Sequence, residues 1–268
     1  MEVPGRGSTF VRELPAPAGA PTLVLLHGLT ASADLSWFRC FDALGSRYGV
    51  VSVEHRGYGG GLPLAGPFRL HECADDVVAV ADVLGIERFV PVGYSMGGAV
   101  AQLVWRRHRR RVSGLVLCAT GAFFVGTVWE RAQWLGLPAW TAIVRRAPWL
   151  GRHWVGSALL SRFEESPWRG WAEAELRRAH PAHMLAAAHE LGRFSSRKWI
   201  GNVDVPTSVV VTAEDVLVPP ARQAALAAAI PGATLHRVQA DHGAPVGAAD
   251  RFVPALLEAC RQVTGGGT

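Results

Sequence analysis

The chain has 268 residues, room for one large α/β domain or for such a domain with an inserted cap. Hydrophobic residues make up 49 %, enough for a sizeable core, yet no apolar run is long enough to span a bilayer. The net charge of +5 comes almost wholly from arginine, Lys198 being the only lysine, which reads as a compositional bias and not as a nucleic-acid surface. Residues 1–12 are polar and Gly-rich and lack the apolar stretch of a secretory signal, so a cytoplasmic protein is expected. Cys40, Cys73, Cys118 and Cys260 are scattered without paired spacing and read as small buried residues, not as zinc ligands or disulfides.

In chain order, a first edge strand is predicted near residues 8–14. Thr22–Leu26 is a continuous apolar run, the pattern of a strand buried on both faces, and His27-Gly28-Leu29-Thr30 follows it directly. Residues 37–46 are predicted as a helix with Phe38, Phe41 and Leu44 on one face. Gly49–Val53 is the next strand and residues 54–59 are the loop after it. Cys73, Val77, Val80 and Leu84 fall at helical spacing and predict a helix over 70–84. A strand at 89–92 leads into Gly93-Tyr94-Ser95-Met96-Gly97-Gly98, and a helix runs on to about His108. The basic run at 106–111 falls where that helix ends. Cations there complement the macrodipole, so a solvated helix end is expected and not a docking patch. Another strand is predicted at 114–118. Strand and helix alternate, which implies a parallel sheet covered on both faces.

The alternation then stops. No strand pattern occurs from about residue 121 to 200, and Pro138, Pro148, Pro167 and Pro181 divide this stretch into short helical pieces. Eight of the ten tryptophans lie in it. They are expected to fasten the helices to the sheet, with two or three lining an apolar cleft; Trp129 and Trp134 are the candidates. His180, His183 and His189 lack a neighbouring carboxylate or thiolate set, so no metal is expected. Afterwards the rhythm returns: a strand at 206–212, a helix at 219–230, the strand Thr234–Val238 and a closing helix at 248–263. The expected organisation is an α/β core of residues 1–120 and 201–268 with a helical cap at 121–200.

Gly93-x-Ser95-x-Gly97 between a strand and a helix is the context of a nucleophile elbow. A serine hydroxyl is a poor nucleophile until a base accepts its proton, and the base needs an orienting acid. In sheets of this kind the working side chains sit in loops at the carboxyl ends of strands. Asp215 follows the strand at 206–212 and His242 follows the last one, giving the order Ser95, Asp215, His242. Glu214 is a second carboxylate beside Asp215, and the residues alone leave the choice between them open.

Over residues 22–263 the chain resembles the α/β-hydrolase superfamily, of the esterase, haloperoxidase and C–C hydrolase-like type, with a cap after the sixth core strand. His27-Gly28 resembles the family's oxyanion loop, the run from Gly93 to Gly97 its elbow, Asp215 with Val218-Pro219 its acid loop, and Asp241-His242-Gly243 its histidine loop. The resemblance implies a Ser95, His242, Asp215 triad and an oxyanion hole made by the N–H groups of Leu29 and Met96. His27, Gly28 and Tyr94 are candidates for the substrate side, with His27 shaping the oxyanion loop and not transferring protons. The chain departs from the family at Glu54, where an aspartate is usual, and at Gly61, where a serine is usual; that loop is mainly structural in the family.

The expected activity is hydrolysis of a small hydrophobic carboxylic ester through an acyl-enzyme, without cofactor or metal, by a monomer or homodimer. Thioester, lactone and C–C hydrolysis and acyl transfer use the same triad. A ligand-sensing protein with little turnover is the alternative from another class. Serine at position 95 argues against haloalkane dehalogenase and epoxide hydrolase chemistry, whose relatives carry aspartate there.

Overall fold

In a computed structural model that describes residues 1–126, 168–178 and 180–265, seven strands form one sheet. They are β3 (Val11–Leu14), β4 (Thr22–Leu26), β5 (Gly49–Val53), β6 (Val90–Tyr94), β7 (Leu115–Cys118), β8 (Thr207–Thr212) and β9 (Thr234–Val238), in the spatial order β3-β5-β4-β6-β7-β8-β9. All neighbours run parallel except β3, which pairs antiparallel with β5, Val11 opposite Val53. The apolar runs behave as their composition demands. From β5 to β8 every strand residue is buried, while β9, with Thr234, His236 and Arg237, takes the edge. β1 (Glu2–Val3) and β2 (Gly7–Ser8) pair with each other as a separate ribbon. In chain order residues 121–200 follow β7, the fifth strand of this sheet.

Helices cover both faces. Leu70–Val83 and Met96–Arg107 pack on one, burying Cys73, Val77, Val80, Val100 and Val104. On the other, Ala249–Thr264 presents Phe252, Leu256, Cys260 and Val263 at helical spacing, beside Trp37 and Leu44. Of the helix predicted at 37–46 only Phe41–Gly45 is helical, and a separate short helix, Ala33–Trp37, ends where the predicted one begins. Ser32 starts this separate helix by accepting the Leu35 N–H at 3.1 Å. The break follows because the Cys40 N–H reaches back three residues to the Trp37 carbonyl, which turns the chain.

Between β7 and β8 the described residues hold two helices, Arg169–Arg178 and Pro181–Arg193. Pro181 starts the second instead of breaking it, since a first-turn residue has no N–H obligation. A single antiparallel bridge, Phe123 to Ser195, brings the two ends of the stretch together. Four members of the basic run find partners: Arg107 and His108 bind Asp75, Arg109 binds the Asn202 carbonyl and Asp204, and Arg111 binds Asp82. These contacts tie the helix end to its neighbours. All four cysteines are buried and free, and among the described residues no helix is long and apolar enough to cross a membrane.

Candidate active site

β6 delivers Ser95 at the turn into the helix Met96–Arg107. Its φ is +53° with ψ −115°, a conformation that L-residues avoid and that only surrounding structure can impose. The restraint is visible. The Ser95 N–H donates to the Cys118 carbonyl at 2.9 Å, and the Ser95 carbonyl accepts from Thr120 Oγ1 at 2.8 Å and from the Gly98 N–H at 2.9 Å. A Cβ on Gly93 would collide with the Gly97 carbonyl, and one on Gly97 with the Leu26 carbonyl, so the spacing of the two glycines is a steric requirement of the turn.

Asp215 follows β8 and is 3 % exposed. Its Oδ1 accepts the N–H groups of Leu217 and Val218, each at 2.9 Å. Its Oδ2 accepts Thr212 Oγ1 at 2.7 Å and Gln223 Nε2 at 3.1 Å and lies 2.6 Å from His242 Nδ1. Burial pushes this carboxyl up, but the bonds from His242, Val218 and Thr212 outweigh it and hold the group below the usual aspartate range. The second imidazole nitrogen, His242 Nε2, lies 2.9 Å from Ser95 Oγ. With the Nδ1 proton bound to Asp215, Nε2 is left with a lone pair facing the serine hydroxyl. Asp241 braces the loop by accepting the Gly243 N–H at 2.8 Å.

Thr212 and Gln223 are the supporting residues that sequence reading overlooked. The signal was present for Gln223: an amide on the same helical face as the buried Leu226 and Ala227 needs a buried partner.

The stretch after β4 meets the elbow at Ser95, where a Cβ on Gly28 would stand 3.6 Å from the serine Cβ. Among the described residues neither the Leu29 nor the Met96 N–H meets an acceptor. For Met96 this follows from its place in the first turn of a helix.

Two residues expected on the substrate side are instead part of the framework. His27 is fully buried. Its Nε2 accepts the His55 N–H at 3.0 Å and its Nδ1 is 2.8 Å from the Gly28 carbonyl, so both nitrogens are occupied. Burial lowers its pKa to about 4, which keeps the ring neutral with its proton on Nδ1. Tyr94 packs edge-on against Trp37 and Phe252, and its hydroxyl donates to the His242 carbonyl at 3.0 Å. Trp129 and Trp134 lie outside the described residues. Of the other tryptophans in the insertion, Trp168 and Trp171 pack on Phe38 and Trp199 stacks on Trp105, all as structural contacts. His183 uses Nδ1 on the Gly57 carbonyl, at 2.8 Å.

A family model described as the alpha/beta hydrolase fold matches residues 21–246. The putative carbamate hydrolase RutD of Klebsiella pneumoniae is 29 % identical over 267 residues, covering 91 % of this chain and 93 % of that protein. The protein of the same name from Agrobacterium fabrum is 28 % identical over 225 residues, covering 81 % and 84 %. Among solved structures, the enol-lactonase from Burkholderia xenovorans matches with a TM-score of 0.82 at 24 % identity, covering 96 % of this chain and 98 % of that one. A thermophilic esterase from Thermogutta terrifontis matches with a TM-score of 0.80 at 25 % identity, covering 95 % and 93 %.

Proposed function

The chain belongs to the alpha/beta hydrolase fold family, and from that premise we propose that it is a serine hydrolase acting on hydrophobic carboxylic esters through an acyl-enzyme. The observation that carries this is the unbroken chain from Asp215 through His242 to Ser95, 2.6 Å and 2.9 Å long in its two links, ending on a strained serine. Ser95 Oγ attacks the ester carbonyl while its proton passes to His242 Nε2. Asp215 holds the imidazole in the required tautomer and stabilises the imidazolium. The tetrahedral oxyanion accepts the N–H groups of Leu29 and Met96, each such donor contributing about 3 kcal/mol. Collapse expels the alcohol, which takes the proton back from His242. Water, deprotonated by the same nitrogen, then releases the carboxylic acid. In this reading residues 121–200 form a cap over the core of 1–120 and 201–268. The bridge between Phe123 and Ser195, which closes the ends of that stretch, supports it.

The curated relatives named carbamate hydrolases favour a second substrate class, a carbamate, whose carbonyl the same serine would attack. One experiment covers both. A chain-length series of aryl esters, with an aryl carbamate and an acyl thioester, is run on wild type and Ser95→Ala together with fluorophosphonate labelling. Turnover and labelling in wild type, both reduced by ~10⁴-fold or more in the variant, are expected. Equal turnover in the variant would overturn the assignment of Ser95, and a carbamate preferred over every ester would overturn the substrate class.

A further inference from the structure

One buried carboxyl takes no part in the chemistry around Ser95. Glu54 follows β5 and is 5 % exposed. Its Oε1 accepts the Ala33 N–H at 2.6 Å, while its Oε2 has no hydrogen-bond partner among the described residues. Ala33 opens the short helix at the far end of the loop that begins with His27 and carries Leu29. The near end is held by His27, whose Nε2 lies 4.0 Å from the same Glu54 oxygen. The carboxyl therefore bonds one end of that loop and lies 4.0 Å from the other.

The inserted helix Arg169–Arg178 reaches the same place. Its Ala172 is buried with Leu35 of the short helix, and Phe38, Trp171, Leu176 and Val246 pack around them. Next to this apolar contact, Glu175 is buried and accepts Arg178 Nη1 at 2.9 Å. The groups acting on Glu54 are thus Glu175 and Arg178 from the inserted helix, Asp34 from the short helix, and Tyr58 from the loop after β5. Asp34 is itself gripped by Arg12 of β3, and His27 and His55 are fully buried and kept neutral by desolvation.

Resting on the serine-hydrolase reading above, we propose that Glu54 is a positioning residue for the oxyanion loop: as a neutral acid it seats Ala33 beneath the cap helix, and its ionisation against Glu175 and Asp34 loosens both. Burial pushes the carboxyl up to about 7 against the Ala33 N–H, with Glu175 and Asp34 adding to the rise and Arg178 opposing it. On ionisation the proton leaves to solvent, and a carboxylate with one donor and two like charges remains in a site closed to water. Opening the loop and the helix is the way to hydrate it. Loss of the Leu29 N–H from its place then lowers kcat more than it raises KM, because the oxyanion exists only after attack.

The test compares wild type, Glu54→Gln and Glu175→Gln from about pH 5 to about pH 9, with two readouts. The first is kcat and KM on an aryl ester. The second is hydrogen exchange over residues 27–37, corrected for the intrinsic rate. Wild type is expected to lose kcat about tenfold through the Glu54 titration at steady KM, and to lose exchange protection over the same range. Glu54→Gln lacks both transitions. Glu175→Gln, which removes a facing negative charge, moves both to lower pH. Matching profiles in wild type and Glu54→Gln overturn the proposal. If Glu54→Gln does not fold, an unmoved transition in Glu175→Gln does so. A wild type that hydrolyses nothing defeats the functional reading instead, and the exchange profiles then decide whether Glu54 holds the loop.

Discussion

Two carboxyl groups sit at the carboxyl ends of parallel strands in this sheet, both nearly inaccessible, and they have opposite fates. Asp215, after β8, is met by two backbone N–H groups, a threonine hydroxyl, a glutamine amide and an imidazole, and stays below the usual aspartate range. Glu54, after β5, is met by one backbone N–H and by neighbouring acids, and rises to about 7. Burial acts on both in the same direction. The difference is the number of donors, which decides whether a buried acid is kept as an anion or as a neutral hydrogen-bonding group. The first state suits a partner for imidazolium; the second suits a latch.

The largest effect that separates the two sites is on turnover. Asp215→Asn keeps the shape but takes away the acceptor that fixes the His242 tautomer, so kcat on a responsive ester is expected to fall by ~10⁴-fold with KM little changed. A loss below about tenfold would mean that Asp215 acts as an ordinary buried acid.

The next effect is on stability and carries opposite signs at the two sites. Asp215 is lowered in the fold, so its contribution is present above the unfolded aspartate pKa and is lost as pH falls through the folded one. Glu54 is raised from 4.5 to about 7, so the folded protein binds the extra proton and stability drains away as pH rises between those values. The full span amounts to about 3 kcal/mol. Urea unfolding of wild type from about pH 5 to about pH 8 is expected to show that decline, and Glu54→Gln to flatten it. A wild-type stability that is level over this range would contradict the raised value.

A smaller effect comes from thinning the donor set of Asp215. Gln223→Leu removes the amide that donates to Asp215 Oδ2 and to the Val218 carbonyl. At about 1.5–3 kcal/mol for a lost bond to a charged group, kcat is expected to drop by about tenfold or more. The remaining donors keep the acid ionised, so the pH at which activity rises should move little. A large shift of that limb would show that Gln223, and not the backbone, sustains the anion.

Much of this site was legible in the sequence because three different loops each carry a constraint that composition displays. The elbow needs glycines where carbonyls approach, and Gly93 and Gly97 stand there. Asp215 follows the apolar run of β8, and His242 follows β9, the last strand of the alternation, which forms the edge of the sheet. What stayed illegible was direction. A residue at a strand end has no alternation to say which way its side chain turns, and so the sequence alone does not separate a substrate-side His27 or Tyr94 from a framework one. One is sealed by its neighbours' backbone and the other braces the histidine loop from beneath. The late start of the helix predicted at 37–46 was hidden for a related reason, because the apolar residues run on from Ala33–Trp37 into Phe41–Gly45 and only the Trp37 to Cys40 bond reveals the turn between them.

Tyr94→Phe is the finest probe of the same contrast. The ring stays, with its edge contacts to Trp37 and Phe252, and the hydroxyl bond to the His242 carbonyl is lost. A neutral hydrogen bond of this kind contributes about 1 kcal/mol, so stability should fall by that amount and kcat by roughly fivefold. The discriminating readout is the proton between His242 Nδ1 and Asp215 Oδ2, which a 2.6 Å separation should send far downfield in a proton NMR spectrum. If Tyr94 holds the histidine loop in register, that resonance broadens or moves in Tyr94→Phe. In Glu54→Gln it stays put, because the latch acts on the oxyanion loop and not on the imidazole. A resonance unaltered in Tyr94→Phe would assign its hydroxyl to packing alone. One displaced in Glu54→Gln would mean that the two carboxyls are parts of a single network and not two solutions to burial.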